Sequence, residues 1–247
     1  MYLGKGAASI ILQALHGARE RIVLSSPWIG KRYVELLVEK ALSGVSVTVI
    51  TMDLSDNDGR LLANAADTYG EEEVSKRSRE VARLRAELRR ARTAVVRDLA
   101  LALFASSIFI LLTKIYNSYF FIGSILFIII GIIMIFIRRR AVSDVRARLE
   151  EAEAELERAV ANTEVLREKL RRNLRAIVVP LNRGFIHAKV YIVDNKAWAS
   201  SANLTDSGLY NNVEFVIEVD PKVAEDALRR LLAELIGQSD EDAGIIN

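Results

Sequence analysis

Hydrophobic positions are distributed unevenly along the 247-residue chain, and two stretches, residues 99–112 and 119–137, contain no charged residue. The second is 19 residues long, which is enough to cross a hydrocarbon core as a helix. The first is shorter and spans only if residues 113–116 extend it. Since only residues 114–118 separate the two, the pattern predicts a transmembrane helical hairpin over residues 98–137. The alternative, a buried hairpin in a soluble protein, would need an apolar partner of matching size, which the chain lacks.

Charged residues beside this hairpin predict its orientation. Arginines are numerous on both flanks, whereas Lys114 is the lone basic residue of the connecting loop. Because an excess of arginine keeps its side of a span cytoplasmic, we expect a two-span membrane protein with both termini in the cytoplasm. The flanking arginines are Arg79, Arg83, Arg85, Arg89, Arg90, Arg92 and Arg97 before the hairpin and Arg138, Arg139, Arg140, Arg146 and Arg148 after it.

Heptad patterns occupy the segments on either side, residues 59–97 and 138–175. Their apolar positions recur at spacings of three, four and seven, and their other faces are charged. We expect these arms to pair as an antiparallel coiled coil, although the seam could also be shared with a second subunit. The seam residues are Val74, Val81, Leu84, Leu88, Ala91 and Val95, then Val142, Val145, Leu149, Ala152, Leu156, Ala159, Leu166 and Leu170.

Globular patterns remain at the two ends of the chain, residues 1–58 and 176–247. The first end reads as helix, strand, helix and strand, and the second as four short strands followed by a helix. Strands that alternate with helices predict an α/β layer structure. The arms and hairpin would then be one long insertion in a single head.

One segment of this head, residues 187–203, combines residues suited to phosphate chemistry. Alternation along a strand over residues 187–193 places His187, Lys189 and Tyr191 on one face. A neutral imidazole can attack phosphorus, and a lysine two residues on can hold the non-bridging oxygens. Ser201 and Asn203 can donate further hydrogen bonds as charge develops.

This segment resembles the motif of the phospholipase D superfamily. His187, Lys189 and Asp194 match with the family spacing, and Ser201 and Asn203 match the second part of the motif. Two departures are that Ser200 replaces the usual glycine and that five residues, not six, separate Asp194 from the serine pair. The inserted arms and hairpin are not part of the family pattern.

The resemblance implies a phospholipase D-like mixed-sheet head and a phosphodiesterase that forms a phosphohistidine at His187. It implies that Lys189, Ser201 and Asn203 bind the phosphate, that Asp194 is structural, and that Glu214 orients the catalytic histidine. Two histidines act together in the family, whereas this sequence has one motif. We therefore expect a homodimer with a shared active site. We read His16, on an N-terminal helix, as structural.

Composition narrows the remaining chemistry. The chain has no cysteine and two histidines, which excludes thiol catalysis and argues against zinc sites. The two-histidine mechanism that the resemblance implies needs no metal and no cofactor, so we expect activity that survives EDTA. Net charge is +2, but residues 1–58 and 176–247 together carry twelve basic and seventeen acidic residues. A surface that grips duplex nucleic acid would normally be basic.

Three substrate hypotheses follow. The first is cleavage of a nucleic-acid phosphodiester, favoured because arms on the order of 50 to 60 Å long would hold the head away from the bilayer. The second is hydrolysis or transfer at phospholipid headgroups. The third is a membrane-tethered scaffold without turnover, for which Ser200 and the shortened spacing are the support.

Overall fold

The computed structural model describes residues 1–115 and 119–236. Two compact units are present. The head contains Met1–Tyr69 and the chain from Thr163 onward, and the helical unit contains Gly70–Asn162. Every strand of the described chain lies in the head.

Seven strands of the head form one mixed sheet, in the order β1-β7-β6-β5-β2-β3-β4. Strands β2, β3 and β4 run parallel to one another, whereas the other neighbours are antiparallel. The predicted α/β class is confirmed. The strands are β1 (Tyr2–Lys5), β2 (Arg21–Ser25), β3 (Ser46–Met52), β4 (Leu174–Val179), β5 (Lys189–Val193), β6 (Lys196–Ser200) and β7 (Val213–Val219).

Helices cover both faces of this sheet because the central strands are apolar on both sides. Leu24 and Tyr191 pack in one core with residues of α1 (Ser9–Gly17) and α2 (Lys31–Leu42). Val23 and Ile192, their neighbours along the strands, pack in a second core with residues of α6 (Pro221–Ile236). Successive strand residues point to opposite faces, so one short strand serves both cores.

The chain between β3 and β4 departs from the predicted boundaries at its start. The first arm was expected from residue 59, but a 3-10 helix (Asp58–Asn64) and the short α3 (Ala65–Thr68) come first. The long helix α4 (Glu71–Ile115) begins after Gly70, whose φ of +75° is a left-handed conformation that glycine adopts at low cost. The second long helix, α5 (Tyr119–Asn173), ends where β4 begins.

Antiparallel contacts join α4 and α5 within the helical unit. Val81, Leu84, Leu88, Val145 and Leu149, all predicted seam residues, form its buried apolar cluster. Ion pairs also join the two helices. Residues later in α4 pair with residues earlier in α5, which is the order expected of antiparallel helices. They join Arg77 to Glu155 (2.5 Å), Arg85 to Glu153 (2.7 Å) and Asp98 to Arg138 (3.1 Å).

Beyond these contacts, α4 becomes apolar and exposed. In the part of the chain that the structure describes, one helix, Glu71–Leu112, is long and apolar enough to cross a membrane, and 6% of its most apolar window is buried. That exposure is unlike the core helix of a soluble protein. The second predicted span, residues 119–137, stays a prediction, and residues 116–118 of the predicted loop lie outside the described residues.

Candidate active site at the ends of β5, β6 and β7

Three adjacent strands bring the predicted site residues to one end of the sheet. Lys189, the first residue of β5, pairs with Ser200, the last residue of β6. Ser200 pairs in turn with Val216 of β7, two residues beyond Glu214. The serine pair and Glu214 therefore lie beside the start of β5.

His187 and Lys189 face each other across this strand end. The Lys189 Nζ lies 3.2 Å from Nδ1 and 3.4 Å from Nε2 of His187, and it donates a hydrogen bond to the His187 carbonyl oxygen (3.0 Å). The imidazole is exposed, whereas Lys189 is only 5% exposed. Burial lowers the pKa of Lys189, and the nearby Glu214 carboxylate opposes that effect. A shielded ammonium therefore faces an accessible imidazole.

The predicted strand over residues 187–193 is two residues too long. Strand β5 begins at Lys189, because its neighbour β2 ends at Ser25 and supplies no partner beyond the Ser25–Val190 pair. The Ser25 hydroxyl still donates to the Ala188 carbonyl oxygen (3.2 Å). His187 consequently lies just before the strand, in a segment that keeps its side chain beside Lys189.

Glu214 has different partners from the one expected. The Ser201 hydroxyl donates to one of its carboxylate oxygens, and the Asn212 side chain donates to the other (3.2 Å). Ser201 Oγ also accepts from the Phe215 N–H (3.0 Å). In the described residues no hydrogen bond joins Glu214 to His187, and the expected role of orienting this histidine stays a prediction. The buried carboxylate holds the Ser201 hydroxyl.

Ser200 fits the position where the family usually has glycine. Its hydroxyl donates to the Phe215 carbonyl oxygen (2.8 Å) and accepts from the Ala202 N–H (3.0 Å), which closes the turn after β6. Asn203 follows on this turn, and its buried Oδ1 has no hydrogen-bond partner among the described residues. The Asn203 backbone packs directly on Gly208. Within the described residues, the side-chain amide of Asn203 is therefore available to bind a substrate.

Asp194 lies away from these groups, at the turn between β5 and β6. It is a non-glycine residue with positive φ (52°), and its carboxylate accepts backbone N–H groups of Arg19 (3.2 Å), Glu20 (2.8 Å) and Arg21 (3.1 Å). Burial alone would raise its pKa, but these hydrogen bonds hold the pKa of Asp194 below the ordinary carboxyl value. These hydrogen bonds connect the β5–β6 hairpin to the start of β2.

A polar network from the first part of the chain also supports the site, and no sequence motif marks it. Ser26 Oγ accepts from the Leu204 N–H (3.0 Å) and donates to the Trp28 carbonyl oxygen (2.7 Å). Thr51 donates to the Ser26 carbonyl oxygen (2.8 Å), and Asn57 donates to Thr51 (2.9 Å). All three polar residues, Ser26, Thr51 and Asn57, are buried. In the sequence, the feature that could have indicated this network is the pair of serines that stands where the apolar strand β2 ends, directly before Pro27.

Among the described residues, acidic and histidine side chains do not cluster in a way that suggests a metal site. Over residues 1–115 and 119–236, no group of three or more such side chains could hold an ion. His16, at the end of α1, uses its carbonyl oxygen to accept from Lys40 and takes no part in the site.

Comparison with known proteins agrees with the motif. The family model described as "Cardiolipin synthase, PLD-like domain" matches residues 136–236, a range that includes all the predicted site residues. No curated protein matches the chain. Among solved structures, NucT from Helicobacter pylori is similar at 11% identity and a TM-score of 0.39, over 94% of this chain and 88% of that chain, a likeness too distant to argue function from. The resemblance to the phospholipase D superfamily is thus confirmed over residues 136–236.

Proposed function

Proceeding from a phospholipase D-like domain over residues 136–236, we propose that this chain is a membrane-anchored phosphodiesterase that attacks phosphorus with His187. The observation that carries the proposal is the 3.2 Å approach of a buried ammonium, Lys189, to an exposed imidazole. A diester phosphate beside both groups would meet a nucleophile and a cation together.

The reaction has two steps. In the first, a nitrogen of neutral His187 forms a bond to phosphorus, the bond to the leaving oxygen breaks, and a second imidazole protonates that oxygen. In the second, that imidazole takes a proton from water, the water oxygen bonds to phosphorus, and the phosphorus–nitrogen bond breaks. Lys189 and the Asn203 amide hold the non-bridging oxygens through both steps, and the Ser201 hydroxyl joins them by turning its proton from Glu214 to the phosphate. No step requires a metal or a cofactor.

The second imidazole comes from another copy of the chain. His16 is the other histidine of the sequence, and it lies on α1 with its carbonyl oxygen bonded to Lys40. A two-fold dimer would place two His187 side chains at one shared site.

The helical unit is the membrane anchor in this proposal. The exposed apolar part of α4 supports one span, and residues 119–137 supply the second. The cluster around Leu84 and Val145 supports an antiparallel coiled coil between the arms. The excess of arginine on both flanks supports a topology with both termini and the head in the cytoplasm.

Nucleic acid is the substrate that the site favours. His187 is exposed, and the ring of its neighbour Phe185 offers an aromatic face on which a nucleobase could stack. Phospholipid hydrolysis or transfer is the second candidate, and the cardiolipin synthase description of the matching family model favours it. The third candidate function is a membrane-tethered scaffold without turnover. Measurable cleavage of any of these substrates would exclude it.

The experiment compares His187→Ala with a matched variant, His16→Ala, in the full-length chain purified in detergent. Labelled single-stranded DNA, RNA and phosphatidylcholine are each incubated with the protein in EDTA. We expect cleavage of a nucleic acid by the wild type and by His16→Ala, and a loss of at least about a thousand-fold in His187→Ala. Equal rates in the two variants would contradict the assignment, and absence of turnover by the wild type on any substrate would favour the scaffold.

A further inference from the structure

Two aromatic rings lead along the surface of the head to the imidazole of His187. The ring centroids of Trp28 and Phe185 are 5.6 Å apart, and those of Phe185 and His187 are 6.0 Å apart. Phe185 is 46% exposed, and Trp28 is partly buried beside it. We call this pair the aromatic surface.

Contacts on both sides hold the aromatic surface in place. The Trp28 Nε1–H donates to Asp56 (3.2 Å), and the Trp28 carbonyl oxygen accepts from the buried Ser26 hydroxyl. Ile186, between Phe185 and His187, is buried in the core against α6. Since Ile186 anchors the segment inward, the side chains on either side of it are left at the surface.

An exposed phenylalanine beside a nucleophile suits a substrate with a planar group close to its phosphate. A nucleotide carries its base one sugar away from its phosphate, so a phosphate at His187 leaves the adjoining base within reach of the Phe185 ring. Bases of single strands stack on aromatic side chains largely without regard to sequence. In a duplex the faces of the bases are already stacked on neighbouring bases, so they are not available to the Phe185 ring.

We infer that Phe185, supported by Trp28, stacks an unpaired nucleobase next to the scissile phosphate and thereby makes the site selective for single-stranded nucleic acid. This inference rests on the proposed function and deepens it. It also fits the acidic balance of residues 1–58 and 176–247, because stacking supplies affinity that a basic duplex-binding surface would otherwise supply.

The test uses Phe185→Leu, which keeps an apolar side chain but removes the ring, with Phe185→Tyr as the rescue. The matched control is Tyr2→Leu, because Tyr2 is an aromatic residue that is 48% exposed and makes none of the hydrogen bonds described at the site. The substrates are a single-stranded DNA oligonucleotide, the same backbone with every base removed, and its duplex. Cleavage gives KM and kcat, and fluorescence anisotropy gives the Kd separately.

In the full-length wild type we expect a KM and Kd roughly ten-fold lower for the natural single strand than for the abasic strand or duplex. Phe185→Leu should remove that difference with little change in kcat, whereas Phe185→Tyr and Tyr2→Leu should retain it. Equal KM and Kd in Phe185→Leu and Tyr2→Leu, with cleavage intact, would overturn the inference and leave the phosphodiesterase standing. Base-dependent binding without any cleavage would support the aromatic surface and overturn the proposed function. Phosphatidylcholine hydrolysis with no preference for bases would overturn the nucleobase assignment.

Discussion

Replacing Gly208 by alanine tests how closely the turn after β6 must be held. A Cβ at Gly208 would lie 2.9 Å from the Asn203 backbone nitrogen and would also clash with its carbonyl oxygen. Ordinary van der Waals contact begins at 3.4 Å, so the Asn203 backbone must retreat by at least about 0.5 Å, which is the tolerance within which catalytic groups need to be held. We expect kcat to fall roughly ten-fold or more.

The assay is steady-state cleavage of the substrate identified above, with thermal unfolding measured on the same samples. The matched control is Gly17→Ala, because an added Cβ at Gly17 meets no atom within 4 Å. Gly17→Ala should keep the wild-type kcat. If Gly208→Ala keeps it too while remaining folded, the backbone position of Asn203 does not matter to turnover and the reasoning is refuted.

Three further predictions concern the motif residues. Asp194→Asn should lower the free energy of unfolding by about 1–2 kcal/mol in denaturant titrations, whereas substitution of the exposed Asp226 by Asn should not. Because the pKa of Asp194 is depressed in the folded state, this difference in stability should vanish as the pH falls through that pKa. A difference that persists in acid would show that the ionised carboxylate is not its cause. Burial lowers the pKa of Lys189, so kcat/KM should decline on the alkaline side below the ordinary lysine pKa, and a profile flat to that value would exclude an essential ammonium there. Dimers assembled from equal amounts of wild type and His187→Ala should retain about one quarter of full activity if the site is shared, and about one half if each chain acts alone.

Local patterns predicted the parts of the molecule that depend on neighbours in sequence. The apolar strand around Val23 and Leu24 was identified because few other structures suit a short β-branched segment that ends at a proline. The meeting of His187 and Lys189 followed from a spacing of two residues in an extended segment. Both inferences needed only the backbone geometry of a single element.

Contacts between distant segments were not accessible in the same way. Strand β1 was missed because Tyr2 and Leu3 show no alternation, and its pairing depends on β7 at the other end of the chain. The Ser26 hydroxyl meets the Leu204 N–H across 178 residues of sequence, and nothing local marks either group. The partner of Glu214 likewise depends on the register between β6 and β7.

The central claim is that His187 becomes covalently bonded to phosphorus. The direct measurement mixes excess full-length protein with substrate, quenches in alkali, where the phosphorus–nitrogen bond survives, and maps adducts by peptide mass spectrometry. The account predicts a transient phosphoryl adduct on His187 that disappears as product forms. Turnover without any adduct at His187, or with an adduct on another residue, would contradict it.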